Sequence, residues 1–163
     1  MTKLPLEDRA EIEDLYARYM WALDTGDSAG YAACFTPDAL VFEVQPNGSV
    51  TSGRALAFVE EGYHQDPHFA GHQHRHDNLV YAPDPQGRPD HWEIRAYVFA
   101  TYAQRNGPDA TEHPSAATTW AGHYVDTVAK VDGEWLFVER NIAPWTGERG
   151  VRLEERMEPG REA

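Results

Sequence analysis

Between His72 and Trp145 the chain is a succession of long strand-forming runs joined by turns, and this block limits the fold more than any other feature. The runs are His72 to Tyr81, Trp92 to Ala103, Ala117 to Val131 and Glu134 to Trp145, rich in β-branched and aromatic residues. The first pair is separated by the turn region Pro83-Asp-Pro-Gln-Gly-Arg-Pro-Asp90, the second by the polar loop Asn106 to Pro114, and the last by Asp132-Gly133, a tight hairpin signal. Connections this short join antiparallel neighbours. The residues before His72 read mainly as helix, so the order is helices first and then a meander. That order predicts an α+β fold with helices packed on one face of a curved sheet.

The first helix runs from Leu6 to Leu23. Pro5 suits its first turn, Glu7 and Asp8 suit its positive end, and Thr25-Gly26 breaks it. Ile12, Leu15, Tyr16, Tyr19, Met20 and Leu23 recur at spacings of three and four, which makes one buried stripe. Asp24 falls on that stripe, four residues after Met20. Either it caps the helix end, or it is a desolvated acid that needs a partner. Asp27 or Ser28 caps a short second helix through Phe35, which Thr36-Pro37-Asp38 stops. Leu40 to Val44 is a short strand, Pro46-Asn47-Gly48 a turn, Ala55 to Glu61 a third helix after Gly53-Arg54, and 62–71 a loop with His64 and His68. No internal repeat or linker divides the chain. The expected organisation is one domain over 1–145 and a charged tail over 146–163.

A chain of 163 residues with 41% hydrophobic content can build a real core. A formal charge of −13 argues against nucleic acid or an anionic membrane as partner. The single cysteine, Cys34, excludes an internal disulfide framework and a cysteine-based zinc site, and reads as a small buried residue. No apolar run is long enough to span a bilayer and no signal-peptide pattern opens the chain, so the cytoplasm is the expected location. Phosphate loops, nucleophile elbows and dinucleotide fingerprints are missing from the sequence.

Chemistry concentrates in His72-Gln-His74-Arg-His76, whose three histidines share one face of a strand. Alternating histidines can hold a metal if a further ligand such as Asp24, His64 or His123 joins them; no spacing here selects one. A histidine beside a buried carboxylate is instead the usual way to build a base near neutral pH. Arg140 stands in a strand that alternates Leu136, Val138, Arg140 and Ile142 against Trp135, Phe137, Glu139 and Asn141. A buried arginine requires an acid, here Glu43 or Asp126, or an anionic ligand. Tyr97, Phe99 and Thr101 share one face of the central strand. If Tyr124 faces inward, so does Asp126, and His123 faces out.

In order along the chain, Ile12-Glu-Asp-Leu-Tyr-Ala-Arg-Tyr19, Leu23-Asp24-Thr-Gly-Asp27, Cys34-Phe-Thr-Pro-Asp-Ala39, Gly53-Arg54, His74, Asn78, Val131-Asp-Gly-Glu-Trp-Leu-Phe137 and Glu139-Arg140-Asn141 resemble the SnoaL-like branch of the nuclear transport factor 2-like superfamily. The resemblance spans nearly the whole chain to about Trp145. It implies a cone-shaped α+β roll, a strongly curved, mixed but largely antiparallel sheet wrapped around the N-terminal helices over a deep pocket. Within that branch the sequence is most similar to lyases of the scytalone dehydratase, bile acid 7α-dehydratase and hexachlorocyclohexane dehydrochlorinase kind. Their aspartate falls on Asp24, their histidine on His74, their tyrosine on Tyr19 and their strand arginine on Arg140. An acid and a second histidine found on the central strand in some of those enzymes have no counterpart here. The implied function is cofactor-independent abstraction of a carbon-bound proton from a hydrophobic small molecule, with no metal, by a homodimer or homotrimer. Trp21, Phe42, Tyr97 and Phe99 would wall the pocket, and Thr101 and Tyr124 would bind substrate. A polyketide cyclase, an isomerase or a non-catalytic binding subunit would use the same pocket.

Overall fold

A computed structural model describes residues 3–44, 49–60, 71–104 and 115–145. The Pro46-Asn47-Gly48 turn, most of the 62–71 loop with His64 and His68, the Asn106 to Pro114 loop and the tail from Thr146 lie outside the described residues. Helix α1 spans Leu6–Thr25, and its predicted stripe is buried throughout, with Ala22 added. Gly26 ends it at φ 71°, a left-handed conformation that glycine adopts without strain, and its N–H returns to Ala22 and Leu23. Helix α2, Ser28–Ala32, is capped by the Asp27 carboxylate accepting from the Gly30 N–H. It stops before the expected Phe35.

Phe35 instead opens strand β1, Phe35–Val44, and is followed by β2, Val50–Arg54, and a short α3, Ala57–Glu60. Proline is tolerated at position 37 because the pairing of β1 with its neighbour shifts between Phe35 and Leu40, where no ladder donor is needed. β2 has no counterpart among the expected strands. It is an exposed five-residue edge strand with one glycine, too short and polar to show an alternating pattern. The remaining strands are β3, His72–Pro83; β4, His91–Gln104; β5, Ser115–Val131; and β6, Glu134–Pro144.

The six strands form one sheet in the order β2-β1-β6-β5-β4-β3, with β1 and β6 parallel and all other neighbours antiparallel. This mixed α+β architecture is the expected one. The buried stripe of α1 and the inner face of the sheet share one core. Tyr16, Tyr19, Tyr31, Phe35 and Phe137 meet in it, with ring centroids 4.8–5.8 Å apart.

Three irregularities in the ladders decide which side chains face inward. β3 and β4 shift register between Asp77 and Val80, with Asn78 at φ 55°. β4 and β5 shift between Ala100 and Thr101. β5 and β6 shift at Thr127/Val128, which leaves Val138 as the extra residue. The last shift corrects the simple alternation expected for β6. Arg140 shares the inner face with Phe137, its Cζ 4.3 Å from that ring, and not the face of Val138.

Candidate functional site

Asp24 lies in the last turn of α1, opposite the start of β3. Its carboxylate does not cap the helix. Oδ2 accepts the backbone N–H of His74 at 2.7 Å, and Oδ1 lies 2.6 Å from His74 Nδ1. The two side chains keep only 15% and 14% of their exposure. A carboxylate facing Nδ1 favours the tautomer that carries its proton there. Nε2 is then left with its lone pair, the form a general base needs. The partner that Asp24 requires is therefore His74, gripped at two points.

His72, His74 and His76 share the inner face of β3, as their spacing predicts, but their rings go to different places. His72 packs on Tyr102, centroids 5.0 Å apart, and lies 6.4 Å from His74 at 27°. His76 packs on Tyr16 at 5.1 Å, where burial and the Arg140 charge lower its pKa. Among the described residues, no three histidine, cysteine, aspartate or glutamate side chains gather as a metal site.

Arg140 occupies a second, deeper group. It and Asp126 are wholly buried and paired at 2.9 Å. Asp126, one of the two acids considered for it, also accepts from the Tyr16 hydroxyl at 2.6 Å and the Asn141 N–H at 3.3 Å. The guanidinium carbon lies 4.0 Å from the Tyr19 centroid and 4.1 Å from that of Tyr124. Its Nε and Nη1 have no hydrogen-bond partner among the described residues. Burial raises the pKa of both phenols; Arg140 offsets part of this for each, while the charge of Asp24 adds to the rise at Tyr124. Tyr124 faces inward with Asp126, and His123 packs on Trp145 on the other face, as the alternation requires.

Four expected wall residues lie elsewhere, and Thr101 with them. Trp21 is 73% exposed, on the solvent side of α1. Tyr97 is 42% exposed and meets Trp145 on the outer face of the sheet. Phe99 and Thr101 follow Tyr97 at spacings of two and share its outward face. Phe42 pairs with Asn141, one residue on from Val41 and Arg140, and so faces away from the guanidinium. Arg95, two before Tyr97, is the available sign that this side of β4 meets solvent. The residues of β4 that do face inward are Ile94, Ala96, Val98 and Ala100. Tyr102 continues that row, and across Ala100 from His74 stands Trp120. Neither Tyr102 nor Trp120 is among the residues that the sequence singles out. Trp120-Ala-Gly122, which puts a large ring beside a missing one on a single strand face, is the usable signal.

A curved sheet closed by an N-terminal helix is the fold of solved structures described as cystatin-like and NTF2-like. The chain belongs to the SnoaL-like domain family, whose model matches residues 5–141. No curated protein matches it. Among solved structures it is similar to a single-substitution variant of Rv3472 of Mycobacterium tuberculosis, a protein of unknown function. They share 25% identity over 91% of this chain and 84% of that one, with a TM-score of 0.65. Aln2 of a Streptomyces species is also 25% identical, covering 87% of this chain and 94% of its own, with a TM-score of 0.64. A protein of Novosphingobium aromaticivorans, provisionally assigned as a scytalone dehydratase, is 24% identical over 90% and 91%, with a TM-score of 0.62, and shows the shared fold. Among the described residues, no helix is long and apolar enough to cross a membrane.

Proposed function

We infer that the protein is a cofactor-independent lyase of the dehydratase type, acting on a hydrophobic small molecule. The observation that carries this reading is the two-point contact of Asp24 with His74. Nε2 of His74 takes a proton from carbon, the C–H electron pair becomes the new double bond, and the leaving group departs with its own pair. Asp24 holds the ring and stabilises the imidazolium as it forms. Tyr19 stays protonated, and its ring, packed against the guanidinium, holds Arg140 in position. Arg140 stabilises the negative charge that develops, through a core where charges are weakly screened. Membership of a family that includes dehydratases and polyketide cyclases agrees with this chemistry.

The test is turnover of a panel of cyclic β-hydroxy ketones by His74→Ala and Asp24→Asn. Loss of a general base costs about 10²- to 10⁴-fold, and both variants should keep the wild-type circular dichroism. Full activity in both would sink the dyad. A product lighter by the leaving group marks elimination. A product of unchanged mass corrects the reaction to cyclisation or isomerisation by the same base. We also infer a homodimer or homotrimer, because the outer sheet face carries Tyr97 and Trp145 exposed and in contact, 5.4 Å apart.

A further inference from the structure

We propose that His72 is the catalytic acid of the site, the group that hands a proton to the departing oxygen while His74 takes one from carbon. This rests on the reading of His74 as the base and supplies the second half of the proton traffic.

Hydroxide is a poor leaving group and departs readily only as water, so a donor must reach its oxygen as the C–O bond breaks. The residues already placed have no proton to spare for it. Asp24 accepts from His74 at both of its oxygens. Tyr16 donates to Asp126 at 2.6 Å, and Tyr19 lies on the Arg140 guanidinium, 4.0 Å from its carbon, in the deeper group. His76 packs against Tyr16, where burial and the Arg140 charge disfavour its cation.

His72 is placed differently. Its ring centroid stands 6.4 Å from that of His74, with the two planes 27° apart. Residues two apart on a strand are separated by roughly 6.4–6.8 Å, so the rings rise from one face nearly side by side and turn their outer edges to the same space. The carbon that loses a proton and the oxygen that leaves are two bonds apart, and each nitrogen must come within about 3 Å of its own atom. One such fragment laid across the two edges touches both. His72 is also fixed in position. It pairs with Tyr102 across the ladder, and the two rings pack with centroids 5.0 Å apart. Gly71, just before it, has φ 90°, and its carbonyl accepts the Ala103 N–H at 3.0 Å. A Cβ at position 71 would lie 3.0 Å from the Ala103 oxygen and 3.4 Å from the Tyr102 ring, so glycine lets the strand enter this close to its neighbour. His72 is half-buried, within reach of solvent protons, and histidine is the side chain that gains and loses one near neutral pH.

In the step itself, Nε2 of His74 takes the proton on carbon and the C–H pair becomes the double bond. The C–O bond breaks with its pair going to oxygen, which receives the proton of the His72 imidazolium and leaves as water. The two rings end with their charges exchanged, and a proton passed through solvent from His74 to His72 resets them.

The experiment compares two leaving groups, with 3-hydroxy-1-decalone and its acetate ester as probes. Acetate departs without a proton, so it has no need of the acid. His72→Gln should slow elimination of water by about 10²- to 10⁴-fold and leave elimination of acetate within about threefold of wild type. In D₂O it should still exchange the hydrogens between the carbonyl and the leaving group at the wild-type rate, because His74 is untouched. His72→Asn repeats the measurement, and circular dichroism checks both folds. Equal loss for the two leaving groups in both folded variants, or undiminished elimination of water, would overturn the acid. His74→Ala separates the two ideas, since it should lose both eliminations and the exchange. If it keeps them, the base is wrong while the leaving-group split at His72 still decides the acid. A wild type that eliminates neither probe overturns both.

Discussion

At the scale of single residues, Arg140 is the largest fully buried side chain among the described residues, its guanidinium a charge held wholly inside an aromatic cage. It is tolerable because Asp126 answers it, and Asp126 in turn has Tyr16 and Asn141. Removing one member of such a pair leaves the other charge buried and uncompensated, at about 3–5 kcal/mol. Asp126→Asn should therefore lower the unfolding free energy by that order in urea titration. Replacing both residues by apolar ones of similar volume should recover much of it, a non-additivity that a simple packing role would not give. Acidity follows the same group. Burial pushes the Asp126 carboxyl from 3.8 up to about 6, against the opposing pulls of Arg140, Tyr16 and Asn141. The folded chain then keeps this proton to a higher pH than the unfolded chain. Its contribution to stability is therefore largest in acid and falls as pH rises from about 4 to about 6. In Asp126→Asn that component of the pH dependence should vanish from the unfolding curve.

At the scale of elements, α1 is legible because helical periodicity survives in the residue order. Its six stripe residues are all buried, and the left-handed Gly26 lies at the Thr25-Gly26 break that the sequence marks. Gly26→Ala forces a φ that alanine resists and should cost about 1 kcal/mol, seen as a lower melting temperature. The Asp132-Gly133 hairpin is equally plain, with both residues at positive φ. Asp24 and His74 are legible as a pair, the one as a misplaced acid and the other as part of a histidine row. The wall of the site is not. A strand has a period of two, so one inserted residue inverts every assignment beyond it. The bulge at Val138 moves Arg140 to the face of Phe137, and nothing in the composition of β6 announces it. Tyr97, Phe99 and Thr101 escape for a different reason. Aromatic content suggests an interior face, although Arg95 on the same side of the strand points to solvent.

At the scale of the whole molecule, the exposed aromatics of the outer face have a consequence for assembly. Tyr97 and Trp145 form an apolar spot on a chain whose net charge is −13. Self-association through this face should appear in sedimentation velocity as a dimer or trimer. Tyr97→Lys should shift the protein to the monomer without altering its circular dichroism; an unchanged sedimentation coefficient in the variant would exclude the face. The sheet has another border as well. β3 is its terminal strand, and the outward N–H of His74 is taken by Asp24 and not by a neighbouring strand. That amide therefore acts as a built-in gauge of the site. Its deuterium uptake reports the closure of the carboxylate on the imidazole strand in a resting sample, with no substrate needed. In wild type it should exchange slowly for a residue on an open border, and in Asp24→Ala it should become one of the quick ones, while the amides of β5 keep their pace.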